Sequence, residues 1–204
     1  MPNFEVDFSN LTKGEIKQLL ALVTKSAKPR KRLSELENGE CFQVGRFTFI
    51  NIYSDIYEGY IAVMKECVFD SSFGDNNNFG ESEIFNRLKQ DILPEILECA
   101  GESNVFSFDT NLMTLDGLTP YGNLVSRISL PTFDIYRENV DIFDEYKIDK
   151  AWWLATPDTA PPHRIPLFVR CAHVGGSLGS CHCDSFCGVR PFCIFNPNML
   201  VNEA

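Results

Sequence analysis

From Leu154 to Asn198, a stretch of 45 residues, this chain has no Lys, Glu, Gln, Met or Trp. Those five types supply 33 of the 204 residues and are common upstream. At that frequency a gap of this length arises by chance on the order of one time in a thousand. A buried, strand-rich region would exclude Lys, Glu and Gln. Arg164, His182, Asp184 and the Gly/Ser run beside them do not read as core. The genetic code offers a second account. If the first two bases of an Asn codon are randomised, the resulting codons can never specify Lys, Glu, Gln, Met or Trp. Every residue from Gly179 to Cys187 belongs to the set that remains.

Other absences narrow the function classes. Positive charge is short: 18 Lys and Arg stand against 28 Asp and Glu, a net charge of −10. A nucleic-acid binder needs clustered Lys and Arg for phosphate contacts, so no nucleic-acid partner is expected. No apolar run approaches the ~20 residues of a membrane-spanning helix, and membrane insertion is not expected. The N-terminus (Met1-Pro2-Asn3-Phe4-Glu5-Val6-Asp7) lacks the apolar core of a signal peptide. Synthesis in the cytosol is therefore expected, with the eight cysteines reduced. Gly175-Gly176 and Gly179 lack the Lys of a phosphate-binding loop, and turn geometry accounts better for them. There is no internal repeat and no low-complexity tract.

What is present divides unevenly. Residues 1–32 hold seven Lys or Arg against three Asp or Glu, a net of +4 that leaves −14 on the rest. Thr12 and Glu15 are spaced as a capping box. Ile16, Leu19, Leu20 and Val23 follow on one helical face, and a basic link, Lys28-Pro29-Arg30-Lys31-Arg32, ends the element. Residues 1–32 are thus expected as a helix and linker that either docks onto another subunit or partner or packs on its own domain, and residues 33–204 as the main domain. There, Phe42–Tyr53 and Tyr60–Phe69 read as strands, rich in β-branched and aromatic residues. Glu83–Ala100 has helical apolar spacing with a break or kink at Pro94. Leu130–Tyr136 reads as a short helix, and Trp152–Thr156, Leu167–Val174 and Phe186–Phe195 as strands. Adjacent Trp152 and Trp153 would face opposite sides of their strand, one in the core and one beneath the C-terminal strands or the binding loop. The planar fork of Arg190 suits carboxylates or carbonyls.

Two motifs frame the compositional gap. Trp152-Trp153-Leu154-Ala155-Thr156 opens it, and Gly188-Val189-Arg190-Pro191-Phe192-Cys193-Ile194-Phe195 closes it. Upstream stand Gly39-Glu40-Cys41-Phe42-Gln43-Val44-Gly45 and Asn78-Phe79-Gly80-Glu81-Ser82-Glu83-Ile84. Together these residues resemble a C-type-lectin-like domain of gut bacteria and their phages. Several members resemble the variable proteins of diversity-generating retroelements, in which error-prone reverse transcription mutates adenines in a template repeat. Cys183 is flanked here by Gly179-Ser180-Cys181-His182 and by Asp184-Ser185-Phe186-Cys187, ahead of Gly188. That is the register of a diversified Asn run around a fixed Cys.

The resemblance, which covers about residues 33–201, implies an α+β, C-type-lectin-like fold with a diversified segment at about 159–187. It implies variable, ligand-contacting positions at His163, Arg164, Ile165, Ala172, His173, Gly175, Gly176, Gly179, Ser180, Cys181, His182, Asp184, Ser185, Phe186 and Cys187. Trp152, Trp153, Cys183, Gly188, Arg190 and Pro191 would form the structural frame. The implied function is non-catalytic recognition of a macromolecular ligand, a protein, with no catalytic, metal or cofactor site and with a phage tail as one destination. No Glu-Pro-Asn or Gln-Pro-Asp sugar-binding motif occurs. Two alternatives stay open. Cys181, Cys183 and Cys187, with His173 and His182, could supply zinc ligands or a Cys–His nucleophile, although the spacing matches no standard finger. The chain could also be a virion structural or assembly protein, homo-oligomeric or docked through residues 1–32.

Overall fold

The computed structural model describes Thr12 and residues 30–52, 60–161 and 165–204. The chain divides into two units, Met1–Arg30 and Lys31–Ala204. The stripe at Ile16, Leu19, Leu20 and Val23 lies outside the described residues, as do His163 and Arg164. Lys31 and Arg32, expected in the linker, instead form strand β1 and pair with Val201 and Leu200 of β14 (Leu200–Glu203). The second unit therefore begins and ends on adjacent strands.

That unit is mixed α+β, with strands predominating. A seven-stranded sheet runs β1-β14-β2-β3-β4-β13-β6, with β2 at Cys41–Val44, β3 at Phe47–Ile52, β4 at Tyr60–Met64, β6 at Val105–Phe106 and β13 at Phe192–Phe195. A five-stranded sheet runs β11-β10-β9-β12-β5, with β5 at Phe69–Ser71, β9 at Trp152–Pro157, β10 at Phe168–Ala172, β11 at Leu178–His182 and β12 at Cys187–Val189. A separate ribbon pairs β7 (Phe108–Asn111) with β8 (Asn123–Ser126).

Three expected strands are divided, two of them for a local reason. Phe42–Tyr53 breaks into β2 and β3 at Gly45-Arg46, where Gly45 has φ +58. That backbone region suits glycine, and a Cβ there would overlap the Cys99 sulfur. Tyr60–Phe69 breaks after Met64, so that β4 and β5 enter different sheets. Phe186–Phe195 breaks at Arg190-Pro191, because proline has no N–H to give a ladder. There the chain passes from the five-stranded sheet (β12) to the seven-stranded one (β13).

The long helix forms as expected, in three pieces. Ser82 caps it, its hydroxyl accepting from the Phe85 N–H at 3.1 Å. Helix α1 (Glu83–Arg87) continues through one π-turn (Leu88–Ile92) into α2 (Leu93–Ala100). Pro94 explains the widened turn: it donates nothing to the carbonyl four residues back, and its ring crowds that carbonyl. Leu93 N–H accordingly reaches back five residues to Leu88 O. The shorter helix, expected at Leu130–Tyr136, runs instead from Phe133 to Glu138 (α3). Its cap is Thr132, whose hydroxyl accepts from the Ile135 N–H. Pro131 lies before the cap, its carbonyl accepting from Ala155 N–H at 2.9 Å. Helix α4 (Val140–Glu145) follows.

Two hydrophobic clusters occupy opposite faces of β9. Trp153 enters one with Phe73, Phe79, the α1–α2 residues Ile84, Leu88 and Ile96, and the stacked Phe42–Phe49 pair with Phe195 set edge-on. Trp152 enters the other with Ile50, Ile61, Tyr136 and Phe143. Both tryptophans are thus buried in cores, each contributing about 2–3 kcal/mol of burial or more. No helix among the described residues is long and apolar enough to cross a membrane.

Candidate functional site

The frame of the compositional gap is held by pairing on every side. Strand β12 lies between β9, with Gly188 opposite Trp152, and β5, with Gly188 opposite Asp70. A Cβ at Gly188 would overlap the Cys67 sulfur, so glycine permits this close approach. Trp153 Nε1–H donates to Ser71 O at 2.9 Å. Buried Cys183 donates its N–H to Leu167 O and accepts from Phe73 N–H, both at 2.8 Å. Arg190 is fully enclosed. Its Nε–H donates to Met64 O at 2.7 Å, and its guanidinium carbon lies 5.2 Å from the ring centres of both Trp152 and Phe143. Burial pulls its pKa down to about 10, and Nη2 is buried without a hydrogen-bond partner. The expected carbonyl contact is present, with two aromatic faces completing the set.

Strands β10 and β11 form a hairpin with Phe168 opposite His182, Arg170 opposite Ser180 and Cys171 opposite Gly179. His173 opens its turn: the His173 N–H donates to Ser177 O at 2.8 Å, and the Gly176 N–H to His173 O at 3.0 Å. Gly175 and Gly176 have φ +92 and +86, so these two serve turn geometry, as expected, whereas Gly179 stands in β11 rather than in a turn. The Tyr136 hydroxyl holds the turn from outside, donating to Gly176 O at 2.9 Å.

The two faces of the hairpin differ. Val169 and Cys171 point into the core with Trp153. On the other face, Ala172 and Leu178 pack with Trp152 near the turn. At the far end that face carries Phe168 edge-on to His182 at 5.4 Å, and Arg170 Nη1–H donating to Ser180 Oγ at 2.8 Å. Phe168 is exposed; Arg170, Ser180 and His182 are half-buried. Asp184 and Phe186 leave this end on the loop between β11 and β12, with Phe186 75% exposed. Ile165, on the approach to β10, is 71% exposed.

A groove of about 600 Å³ opens beside this end, lined by Leu115, Asp116, Asp158, Thr159, Ile165 and Phe168. A second, of about 230 Å³, shares Leu115 and continues past Met113, Phe133 and Arg137. Their walls are fixed by named bonds. Leu115 N–H donates to Pro157 O at 2.9 Å, and Thr159 Oγ1–H to Asp116 Oδ2 at 2.8 Å. Buried Asn77 ties both walls together, its Nδ2 donating to Thr159 O and Phe168 O at 2.8 and 3.0 Å. Tyr121 in turn donates to Asn77 Oδ1 at 2.7 Å. The floor is therefore preorganised, while the rim is apolar with acidic groups set into it.

Among the expected contact positions, Ile165, Gly175, Asp184 and Phe186 are exposed, and His173, Gly176, Gly179, Ser180, Cys181, His182 and Ser185 half-buried. Two belong elsewhere. Ala172 and Cys187, 1% and 5% exposed, are packing residues: Ala172 faces Trp152, and Cys187 pairs with Ser71 of β5. The groove also recruits Leu115, Asp116 and Phe168, which the sequence reading did not single out. Asp116-Gly117 is legible as a turn signal; its place against 158–168 is not.

The expectation of eight reduced cysteines also changes. Cys171 and Cys181 form a disulfide across the hairpin. Cys181, Cys183 and Cys187 do not assemble as a set. The Cys/His group that converges among the described residues is Cys171, His173 and Cys181. Burial raises Cys183 and Cys187 to about 11, which leaves them protonated at neutral pH and poor as nucleophiles. No protein-family profile, curated protein or solved structure matches this chain.

Proposed function

We propose that the second unit is a recognition domain on a C-type-lectin-like scaffold, holding a protein ligand at the open end of the β10–β11 hairpin. The observation that carries this reading is the split within the compositional gap. Its ends, β9 and β12–β13, are buried throughout. Its middle sets Ile165, Phe168, Asp184 and Phe186 outward beside a preorganised groove. Side chains of unrelated chemistry on a rigid frame suit a surface whose residues vary while the fold stays constant. Adjacent first and last strands and a sheet-switching C-terminal segment support the lectin-like assignment. In this reading the variable residues arise by adenine-directed mutagenesis, and the protein serves target binding for a phage or its host.

The neighbouring DNA tests the origin of the surface. A near-identical repeat carrying Asn codons at the exposed positions, beside a reverse-transcriptase gene, is expected. A locus without either, with the segment invariant among isolates, removes the diversification reading. Binding is tested on bacterial surface fractions. Asp184→Ala combined with Phe186→Ala should abolish capture that the unchanged protein shows, with an unaltered melting curve.

A further inference from the structure

Cys171, His173 and Cys181 each place one ligand atom within 4.8 Å of the others. Cys171 reaches the site from the buried face of β10, and Cys181 sits diagonally across on β11. His173 follows Cys171 by two residues, and its Nε2 lies 3.7 Å from the Cys171 sulfur. The strand position opposite Cys171 is Gly179, and a Cβ there would overlap the His173 ring. The bare strand position is what lets the imidazole lie beside the sulfur pair. Two thiolates and one neutral imidazole are a donor set suited to zinc, whose tetrahedral shell accepts a water as fourth ligand. Charge favours the same ion. Two thiolates in a largely buried site would repel each other, whereas two thiolates around a dication form a neutral unit.

We propose that the reduced protein binds one zinc ion through Cys171, His173 and Cys181, and that the disulfide between the two cysteines is the metal-free, oxidised form of the same site. This departs from the expectation of no metal and from the Cys181–Cys183–Cys187 set considered on sequence alone. The interconversion needs a two-electron oxidant, for which hydrogen peroxide serves. The two thiolates give up one electron each and form the S–S bond. The peroxide O–O bond breaks, taking both electrons and two protons from solvent to become two waters. The zinc ion, having lost both sulfur ligands, leaves to solvent. Either state cross-links β10 to β11 at the base of the turn, so the hairpin remains pinned in both redox conditions.

The full chain, purified under reductant and without chelator, should contain about one equivalent of zinc by elemental analysis. Replacing zinc with cobalt should give thiolate-to-metal charge-transfer absorption. Peroxide should release the metal and remove two titratable thiols. Cys181→Ser and His173→Ala should each weaken zinc retention about tenfold or more, while His182→Ala leaves it unchanged. Should Cys181→Ser fail to fold, His173→Ala on the half-buried turn carries the test, with near-UV circular dichroism as the fold check. Reduced, folded protein with less than about a tenth of an equivalent of zinc overturns the proposal. So does zinc that survives His173→Ala or is lost with His182→Ala.

Discussion

The frame strands and the hairpin come from the same 45-residue compositional gap, yet their environments are opposite. In β9, β12 and β13 every residue is buried, and the absence of Lys, Glu and Gln follows from the cost of burying charge and amide groups. In β11 every residue is partly exposed, and the loops around it hold Ile165, Val174, Asp184 and Phe186 in solvent. Burial cannot account for the missing types there, since Lys and Glu are the usual residents of such a surface. Packing accounts for the missing Lys, Glu and Gln in the frame, whose β9 opens on Trp152 and Trp153. The hairpin end needs another reason, which the codon restriction of the proposed diversification would supply.

The contrast breaks first, and by the largest margin, at the tryptophans. Trp153→Ala should cost about 4 kcal/mol and Trp152→Ala about 3 kcal/mol or more, because each leaves a void in its own cluster. Urea midpoints measure this, and a smaller loss than at Phe186 would erase the distinction between frame and surface. The hairpin cross-link comes next. In oxidised protein Cys181→Ser should cost about 2–3 kcal/mol, the loop-closure value for a short loop. With reductant and chelator present the difference should largely vanish, and a loss that persists there would assign the effect to packing.

Thiols in and beside the frame sharpen the comparison with pH. Burial raises Cys67 to about 12 and Cys183 and Cys187 to about 11, from an ordinary value of 9.0. Above pH 9 the unfolded chain loses these protons while the folded chain keeps them. Stability is then complete below pH 9 and falls as pH rises toward 11. Denaturant midpoints across that window should decline, and a flat profile would show that the thiols are not held protonated. The smallest effect belongs to the surface. Ile165→Ala, Asp184→Ala and Phe186→Ala should each change stability by no more than about 0.5–1 kcal/mol. A collapsed melting transition in any of them would place that residue in the frame.

Legibility followed how local each signal was. The helix over Glu83–Ala100 and its disruption at Pro94 were readable because apolar spacing and proline both act within a turn or two. The divided strands were harder. Continuous apolar runs such as Tyr60–Met64 are buried almost throughout and carry no alternation to mark where a strand ends. The candidate surface was half legible. Its compositional gap pointed to residues 159–187, but Ala172, on the same strand face as exposed Phe168, is covered by Trp152, and Cys187 lies in β12, which is buried throughout, so what packs over a strand decides which side chains stay in solvent. The Leu115–Asp116 wall carried no signal beyond a turn, since its function depends on Pro157, Thr159 and Asn77 elsewhere in the chain.

By itself the sequence determined the α+β character, the acidic surface, the opposed burial of Trp152 and Trp153, and the limits of the unusual segment. These depend on composition and on residues a few positions apart. Tertiary structure alone decided that Arg190-Pro191 switches between sheets, that Cys171 meets Cys181 and His173, and that Leu115 shares a groove with Phe168. Each of these joins residues through strand register and long-range pairing, and the chain's linear pattern does not specify which strands become neighbours.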